Sequence, residues 1–108
     1  MATTMAASSP ASSPASTACL VVRVQGRVQG VGYRWSCVRK AGELGVAGWV
    51  RNRADGSVEA LLQGPRDRLD GMCAWMRGDV PGALVTSMDV TEAPDAPASR
   101  GFEQRPTI

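Results

Sequence analysis

Apolar residues recur with two periods along the first half of the chain. The β-branched run from Cys19 to Val24 is apolar at alternate positions and predicts a strand, because alternate side chains share one face of an extended chain. A helix is predicted after a glycine-rich stretch, since apolar residues then lie three or four positions apart. Those residues are Tyr33, Cys37, Ala41 and Leu44. Gly45 ends the predicted helix.

The same periods return in the second half. Two strands are predicted at 46–53 and 57–63, joined by an Asp55-Gly56 hairpin turn. A second helix starts near Pro65, a residue suited to the first helical turn, and Gly78 ends it. Its apolar residues have the core-facing spacing i, i+3, i+4, i+7. They are Leu69, Met72, Cys73 and Met76.

Two further strands complete the pattern, at 83–90 and, as a short edge strand, at 101–107. The order strand, helix, strand, strand, helix, strand predicts an α+β fold of the ferredoxin-like, split βαβ kind. We expect an antiparallel or mixed sheet of four or five strands with two helices on one face. The first two strands are parallel with one strand between them, so their C-terminal ends lie about 10 Å apart on one rim. The glycine-rich stretch and Asn52 therefore meet at that rim.

The N-terminal stretch differs from the rest in composition. Residues 1–17 are almost entirely Ala, Ser, Thr and Pro and carry no charged side chain, so we predict a disordered extension before a single domain at 18–108. An organelle-targeting peptide is the alternative, although the stretch is short and lacks Arg. Otherwise a cytoplasmic protein is expected. No apolar run approaches the roughly 20 residues of a membrane span.

The residue types limit the chemistry. The chain has no His, and its three cysteines lie far apart with no Cys-x-x-Cys pair, so neither a disulfide framework nor a zinc site is encoded. We expect no metal and no cofactor. General-base and nucleophilic hydrolysis are poorly supplied. An enzyme with this sequence should therefore act on an already activated bond, where positioning and charge stabilisation suffice.

Charge is divided unevenly along the chain. Residues 19–53 carry seven basic side chains against Glu43 alone, whereas residues 54–108 carry nine acidic against five basic. The first half is therefore suited to meet an anion, although charge alone does not choose between nucleic acid and a small molecule. Five of the basic residues are expected to form a solvated face that steers anionic substrates. They are Arg23, Arg39, Lys40, Arg51 and Arg53.

A flexible loop opens the first predicted helix. It consists of Gly26, Arg27, Val28, Gln29, Gly30, Val31, Gly32, Tyr33 and Arg34. Backbone N–H groups of such a loop converge on an anion, aided by the helix dipole, and Arg34 can fork onto two phosphoryl oxygens. Taken singly, these features have simpler interpretations. The glycines can serve turn geometry, Arg34 can be a solvated helix charge, and Asn52 can prepare the Asp-Gly turn.

Two motifs resemble those of the acylphosphatases. Val24 to Arg34 is similar to the first signature of that family, Gly-x-Val-Gln-Gly-Val-x-Phe/Tyr-Arg. Gly48-Trp49-Val50-Arg51-Asn52, continuing through Gly56-Ser57-Val58 to Gly64, is similar to the second. The similarity extends from about Leu20 to Phe102 and includes the predicted order of elements.

The resemblance implies hydrolysis of a carboxyl-phosphate anhydride without metal or phospho-enzyme. By position, Arg34 and the amides from Gly26 to Tyr33 would bind the phosphoryl group, and Asn52 would orient the attacking water. Arg27 and Gln29 would contribute backbone contacts, and Tyr33 would belong to the core. The expected partner is a small acyl phosphate, and the expected state is a monomer. The alternative is a catalytically idle module of the same fold that binds anions or RNA, although the central strands lack aromatics that stack bases.

Overall fold

The computed structural model describes residues 17–108, so nearly all of the predicted extension lies outside the described residues. Five strands and two helices make up the fold. They are β1 (Thr17–Arg27), α1 (Tyr33–Leu44), β2 (Ala47–Asn52), β3 (Val58–Pro65), α2 (Arg66–Gly78), β4 (Leu84–Glu92) and β5 (Phe102–Arg105). β1 begins at Thr17, one residue before the predicted domain boundary. None of the described helices is long and apolar enough to cross a membrane.

The strands form one mixed sheet in the order β4-β1-β3-β2-β5. β1 is antiparallel to β3 and β4, β2 is antiparallel to β3, and β5 is parallel to β2. This confirms the predicted ferredoxin-like fold, with β3 between the parallel strands β1 and β2. The C-terminal ends of β1, β2 and β5 therefore share one rim of the sheet, which we call the active rim.

β1 is longer than the sequence indicated. It continues through Gly26 and Arg27, and its register with β4 shifts between Gln25 and Gly26. Gly26 has φ 126°, and a Cβ there would run into the backbone carbonyl of Leu84. Glycine is therefore needed at this β-bulge so that the two strands can approach. The true loop is correspondingly shorter and spans residues 28–32.

Both helices pack on the same face of the sheet. Alternate residues of β1 and β3 point at them, including Val22, Val24 and Leu62, all fully buried. The helices contribute the other half of the core, with Tyr33, Cys37 and Ala41 from α1 and Leu69, Met72 and Met76 from α2. Burying each of the larger side chains stabilises the fold by about 1.5–3 kcal/mol. Cys73, predicted to face the core, is only partly buried.

The alternation along β2 decides which residues reach the helix side. Val50 is fully buried in the core on the helix side of the sheet, whereas Trp49 and Arg51 lie on the opposite face, which we call the outer face. Asn52 has the same parity as Val50 and ends β2 at the active rim. Its side chain is therefore directed to the helix side, where α1 begins.

Candidate active site

A cavity of about 170 Å³ opens at the active rim, and we call it the rim pocket. It lies between the loop, the first turn of α1 and the ends of β2 and β5. Its lining residues are Val28, Gly30, Gly32, Tyr33, Arg34, Trp35, Asn52 and Gln104. The structure thus brings Arg34 and Asn52 together with part of the predicted loop.

The loop presents free backbone donors to this pocket. Within residues 17–108, no backbone N–H from Gly30 to Trp35 donates to another residue. Gly30 and Gly32 have φ 76° and 78°, left-handed values that turn the chain sharply into α1. Gly32 is the N-cap of α1 and has no capping side chain. The helix N-terminus therefore offers unpaired N–H groups and a partial positive charge, the usual elements of an anion site.

Tyr33 fixes the position of the first turn of α1. Its phenol is buried and donates a hydrogen bond of 2.7 Å to the carbonyl oxygen of Met76, at the end of α2. Burial raises the pKa of the Tyr33 phenol, so the hydroxyl stays a donor. This confirms Tyr33 as a core residue, and it holds Arg34, the next residue, at the mouth of the rim pocket.

The side chains of Arg34 and Asn52 have no partner within the described part of the chain. Arg34 is partly buried, and its guanidinium forms neither a hydrogen bond nor a salt bridge there. The Asn52 amide is likewise unpaired, although its backbone is fixed by pairing with Val58 and by the Ile108 N–H, 3.3 Å from its carbonyl oxygen. A polar group that is partly withdrawn from water and unpaired is available for a ligand.

Gln29 ties the loop to the β2–β3 hairpin. Its Nε2 donates to the carbonyl oxygens of Arg53, at 2.8 Å, and of Ser57, at 2.9 Å. The sequence suggested only backbone contacts for Gln29. Its side chain instead fixes the distance between the two halves of the site, because Arg53 directly follows Asn52.

The hairpin itself is held by Asp55. Its Oδ1 accepts hydrogen bonds from the Ser57 hydroxyl, at 2.6 Å, and the Ser57 N–H, at 2.9 Å. Its Oδ2 lies 2.7 Å from Nη2 of Arg23. The Ser57 hydroxyl and N–H, together with Arg23, lower the pKa of Asp55 to about 2. Asp55 is therefore ionised at neutral pH and keeps the turn after Asn52 in one shape.

Four members of the predicted phosphate-binding loop do not line the rim pocket. Gly26 and Arg27 belong to β1, and the side chain of Gln29 points to the hairpin. Val31 packs against the core. Some residues of the loop therefore line the pocket, and the residues between them fix the loop to the hairpin or to the core. A sequence motif does not distinguish these two groups of residues.

Two pocket residues were not singled out as site residues from the sequence. Trp35 directly follows Arg34 in the first turn of α1, and this position beside a predicted site residue was the signal available in the sequence. Gln104 lies on β5 opposite Val50, on the helix side of the sheet. Its position depends on β5 adding to β2 in parallel, and nothing local in the sequence indicates that pairing.

No metal-binding cluster of His, Cys, Asp or Glu forms among residues 17–108. The three cysteines, Cys19, Cys37 and Cys73, are all free thiols. Burial raises the pKa of Cys37 to about 12, so this thiol is not a nucleophile at neutral pH. The chemical groups at the rim pocket are therefore amides, a guanidinium and backbone donors.

The expected family is also found by comparison with known proteins. The chain matches the family model described as Acylphosphatase over residues 20–104. It is 59% identical over 90 residues to "Acylphosphatase 1" of Ralstonia nicotianae, covering 82% of this chain and 87% of that protein. It is 52% identical over 89 residues to "Acylphosphatase 2" of the same organism, covering 82% of this chain and 94% of the other.

Solved structures agree with the fold described above. An acylphosphatase from Coxiella burnetii superposes with a TM-score of 0.79 at 34% identity, covering 84% of this chain and 95% of that one. One from Bacillus subtilis superposes with a TM-score of 0.76 at 36% identity, covering 81% and 97%. The matched region includes the loop, Arg34, Asn52 and Gln104. The chain described here therefore belongs to the acylphosphatase family.

Proposed function

We propose that this protein hydrolyses acyl phosphates to a carboxylate and inorganic phosphate in the rim pocket. One observation carries the proposal. Unpaired loop N–H groups, the free guanidinium of Arg34 and the free amide of Asn52 face one small cavity. Family membership supports the same reaction class.

The phosphoryl group is bound by the loop and Arg34. Its equatorial oxygens accept hydrogen bonds from the free N–H groups at the start of α1. Arg34 adds a planar fork of donors and a full positive charge. These groups stabilise the charge that the three oxygens carry in the transition state, which is the main requirement of phosphoryl transfer.

Asn52 orients the attacking water from the sheet side of the pocket. The water oxygen attacks phosphorus, and the bond from phosphorus to the carboxyl oxygen breaks with its electron pair going to the carboxylate. Both protons of the water end on the phosphate product. A carboxylate is a good leaving group, so no acid is required, and the chain has no His to supply one. Holding the water in line is the contribution of Asn52.

The proposal extends to a monomeric, cytoplasmic enzyme that needs neither metal nor nucleic acid. The free thiols Cys19, Cys37 and Cys73 fit a reducing compartment. On the outer face, β1 and β3 present Arg23, Glu59 and Leu61 but no aromatic ring. The Trp49 ring of the neighbouring β2 already has the guanidinium groups of Arg51 and Arg105 over it, 4.5 and 5.1 Å from its centroid, instead of a free face for a base. This surface does not favour the alternative of an RNA-binding module.

The direct test is an assay of the purified protein with benzoyl phosphate in the presence of excess chelator. We expect hydrolysis well above the uncatalysed rate, unchanged by the chelator and inhibited competitively by inorganic phosphate. Phosphate inhibition reports occupancy of the rim pocket separately from turnover. Phosphate binding without turnover would identify the idle anion-binding module instead, and loss of turnover with chelator would contradict the metal-independent mechanism.

A further inference from the structure

A second cavity adjoins the rim pocket and shares one residue with it, Trp35. This cavity has a volume of about 320 Å³ and lies between α1 and α2, and we call it the helix cleft. Besides Trp35, its walls include Arg39 and Lys40 from α1 and Trp75 and Asp79 from the α2 side. The indole of Trp35 therefore forms the border between the phosphoryl site and a separate depression.

Trp35 is unusually accessible for a tryptophan. The exposed fraction of Trp35 is 57%, whereas Arg34 is partly buried and the phenol of Tyr33 lies in the core. An exposed indole does not contribute its apolar area to the fold. At the edge of a site that binds a small molecule, it is available as an apolar platform.

Arg39 is held over that platform with its donors unused. Its Cζ lies 5.0 Å from the ring centroid of Trp35, one helical turn earlier. Within residues 17–108, Arg39 forms no salt bridge or hydrogen bond through its side chain. Its neighbour Lys40 differs, because its Nζ is 3.5 Å from Glu43 Oε1 and 5.9 Å from the Trp75 ring. Arg39 is thus the cation of the helix cleft that lacks an anion.

In-line displacement places the leaving acyl group on the side of the phosphorus opposite the water held at Asn52. Trp35 is the residue that lines both the rim pocket and the helix cleft, so the cleft is the depression next to the phosphoryl site in which an acyl group can lie.

We propose that Trp35 and Arg39 form an acyl subsite for acyl phosphates whose acyl group ends in a second carboxylate, the monophosphates of dicarboxylic acids. This proposal rests on the proposed function. The methylene chain lies on the indole, and the terminal carboxylate pairs with the planar guanidinium, whose fork matches its geometry. The side chain of Asp79 has no partner in the described chain, and its negative charge disfavours binding of the substrate carboxylate at other positions in the cleft.

The test compares two substrates with four-carbon chains, succinyl phosphate and butyryl phosphate, which differ in the terminal carboxylate. Because Arg39 is exposed, we expect kcat/KM to favour succinyl phosphate by about twofold to fivefold, within the range of an exposed ion pair. Arg39→Gln should bring the ratio close to one, and Asp79→Asn should raise it about twofold.

Arg77→Gln is the matched control. It removes the same charge from an exposed residue of α2 that lines neither cavity, so the ratio should not change. Equal turnover of the two substrates by the wild-type protein would overturn the acyl subsite while leaving the proposed function intact. An equal fall of the ratio in both arginine variants would also overturn it, since it would indicate general charge steering. No hydrolysis of either substrate would overturn both proposals.

Discussion

The arginines of the outer face and those of α1 differ in what they contact. On the outer face, Arg51 and Arg53 both bond to Glu59, at 2.9 and 3.2 Å. The Cζ atom of Arg105 lies 5.1 Å from the centroid of the Trp49 ring, and its Nε donates to a carboxylate oxygen of Glu103. On α1, Arg34 and Arg39 have no anion within the described residues. Paired arginines hold strands in register, and the unpaired ones leave their charge available to a ligand.

This difference corrects the single basic face expected from the sequence. Arg23, Arg51 and Arg53 lie on or near the outer face, each bonded to a carboxylate. Arg39 and Lys40 lie on α1, on the other side of the sheet. Of these five residues, only Arg39 has no carboxylate partner in the described part of the chain, and it lies on the helix that begins at the rim pocket.

The largest effect is expected at Arg34. Arg34→Ala should lower kcat/KM for benzoyl phosphate by about 10³ or more, because the transition-state charge loses its fork of donors. Arg34→Lys should not restore the rate, since one ammonium cannot replace the planar guanidinium. Steady-state kinetics with phosphate inhibition will measure both losses. Arg51→Ala is the control on the outer face, and a loss there equal to that of Arg34→Ala would erase the distinction between the two groups.

The next effect is expected at Asn52. Asn52→Ala should lower kcat by about 10² through loss of water positioning, while the inhibition constant for inorganic phosphate stays close to that of the wild type. The split between turnover and binding is the informative readout. A variant with near-normal kcat would remove Asn52 from the mechanism.

Gln29 joins the loop that precedes α1 to the β2–β3 hairpin, which carries Arg53 of the outer face, so its variants test how far the two groups of arginines depend on each other. Gln29→Ala removes the side-chain donor from the carbonyl oxygens of Arg53 and Ser57, which keep their backbone donors, the N–H groups of Gly56 and Arg53. We therefore expect a loss of about 1 kcal/mol in the free energy of unfolding. Turnover should fall about tenfold as the hairpin shifts relative to the loop. Urea denaturation and kinetics on the same samples will test this. Gln29→Glu is the isosteric comparison and should be at least as damaging, and a Gln29→Ala protein of unchanged kcat would show that the tether has no role in the site.

The smallest effect is expected at Asp55. Its folded pKa of about 2 is below the ordinary 3.8, so its contribution to stability is fully present above pH 3.8 and is lost as the pH falls towards 2. The difference in melting temperature between the wild type and Asp55→Ala should therefore be constant from pH 5 to 7 and shrink between pH 4 and 2. Thermal unfolding followed by circular dichroism will measure it. A difference that does not depend on pH would contradict the ionised network with Ser57 and Arg23.

The sequence predicted the layers of this fold because each element has a strong period. The alternation of Leu20, Val22 and Val24 and the helical spacing of Leu69, Met72 and Met76 both correspond to buried faces. Element ends were less accurate. β1 runs past its predicted end because the bulge at Gly26 preserves pairing with β4, and that pairing joins residues distant in the chain.

Only part of the candidate site could be predicted, because some of its residues are brought together by contacts between distant parts of the chain. Arg34 and Asn52 are fixed by a motif and by strand order, both readable locally. The side-chain tether of Gln29 reaches 24 and 28 residues along the chain, and Gln104 enters through the parallel pairing of β5 with β2. Such non-local contacts depend on the assembled sheet, so periodicity and motif spacing cannot indicate them.

The rim pocket is formed by residues from both ends of the described chain. The loop follows β1, whose partners are β3 and β4, and Gln104 comes from the last strand. Sheets dominated by such distant pairings fold slowly, because the chain must close large loops before those contacts form. We therefore expect catalytic activity in a refolding experiment to return with the completed sheet rather than with the helices. Enzymatic turnover would then serve as a probe of global folding, and circular dichroism of the helices would run ahead of it.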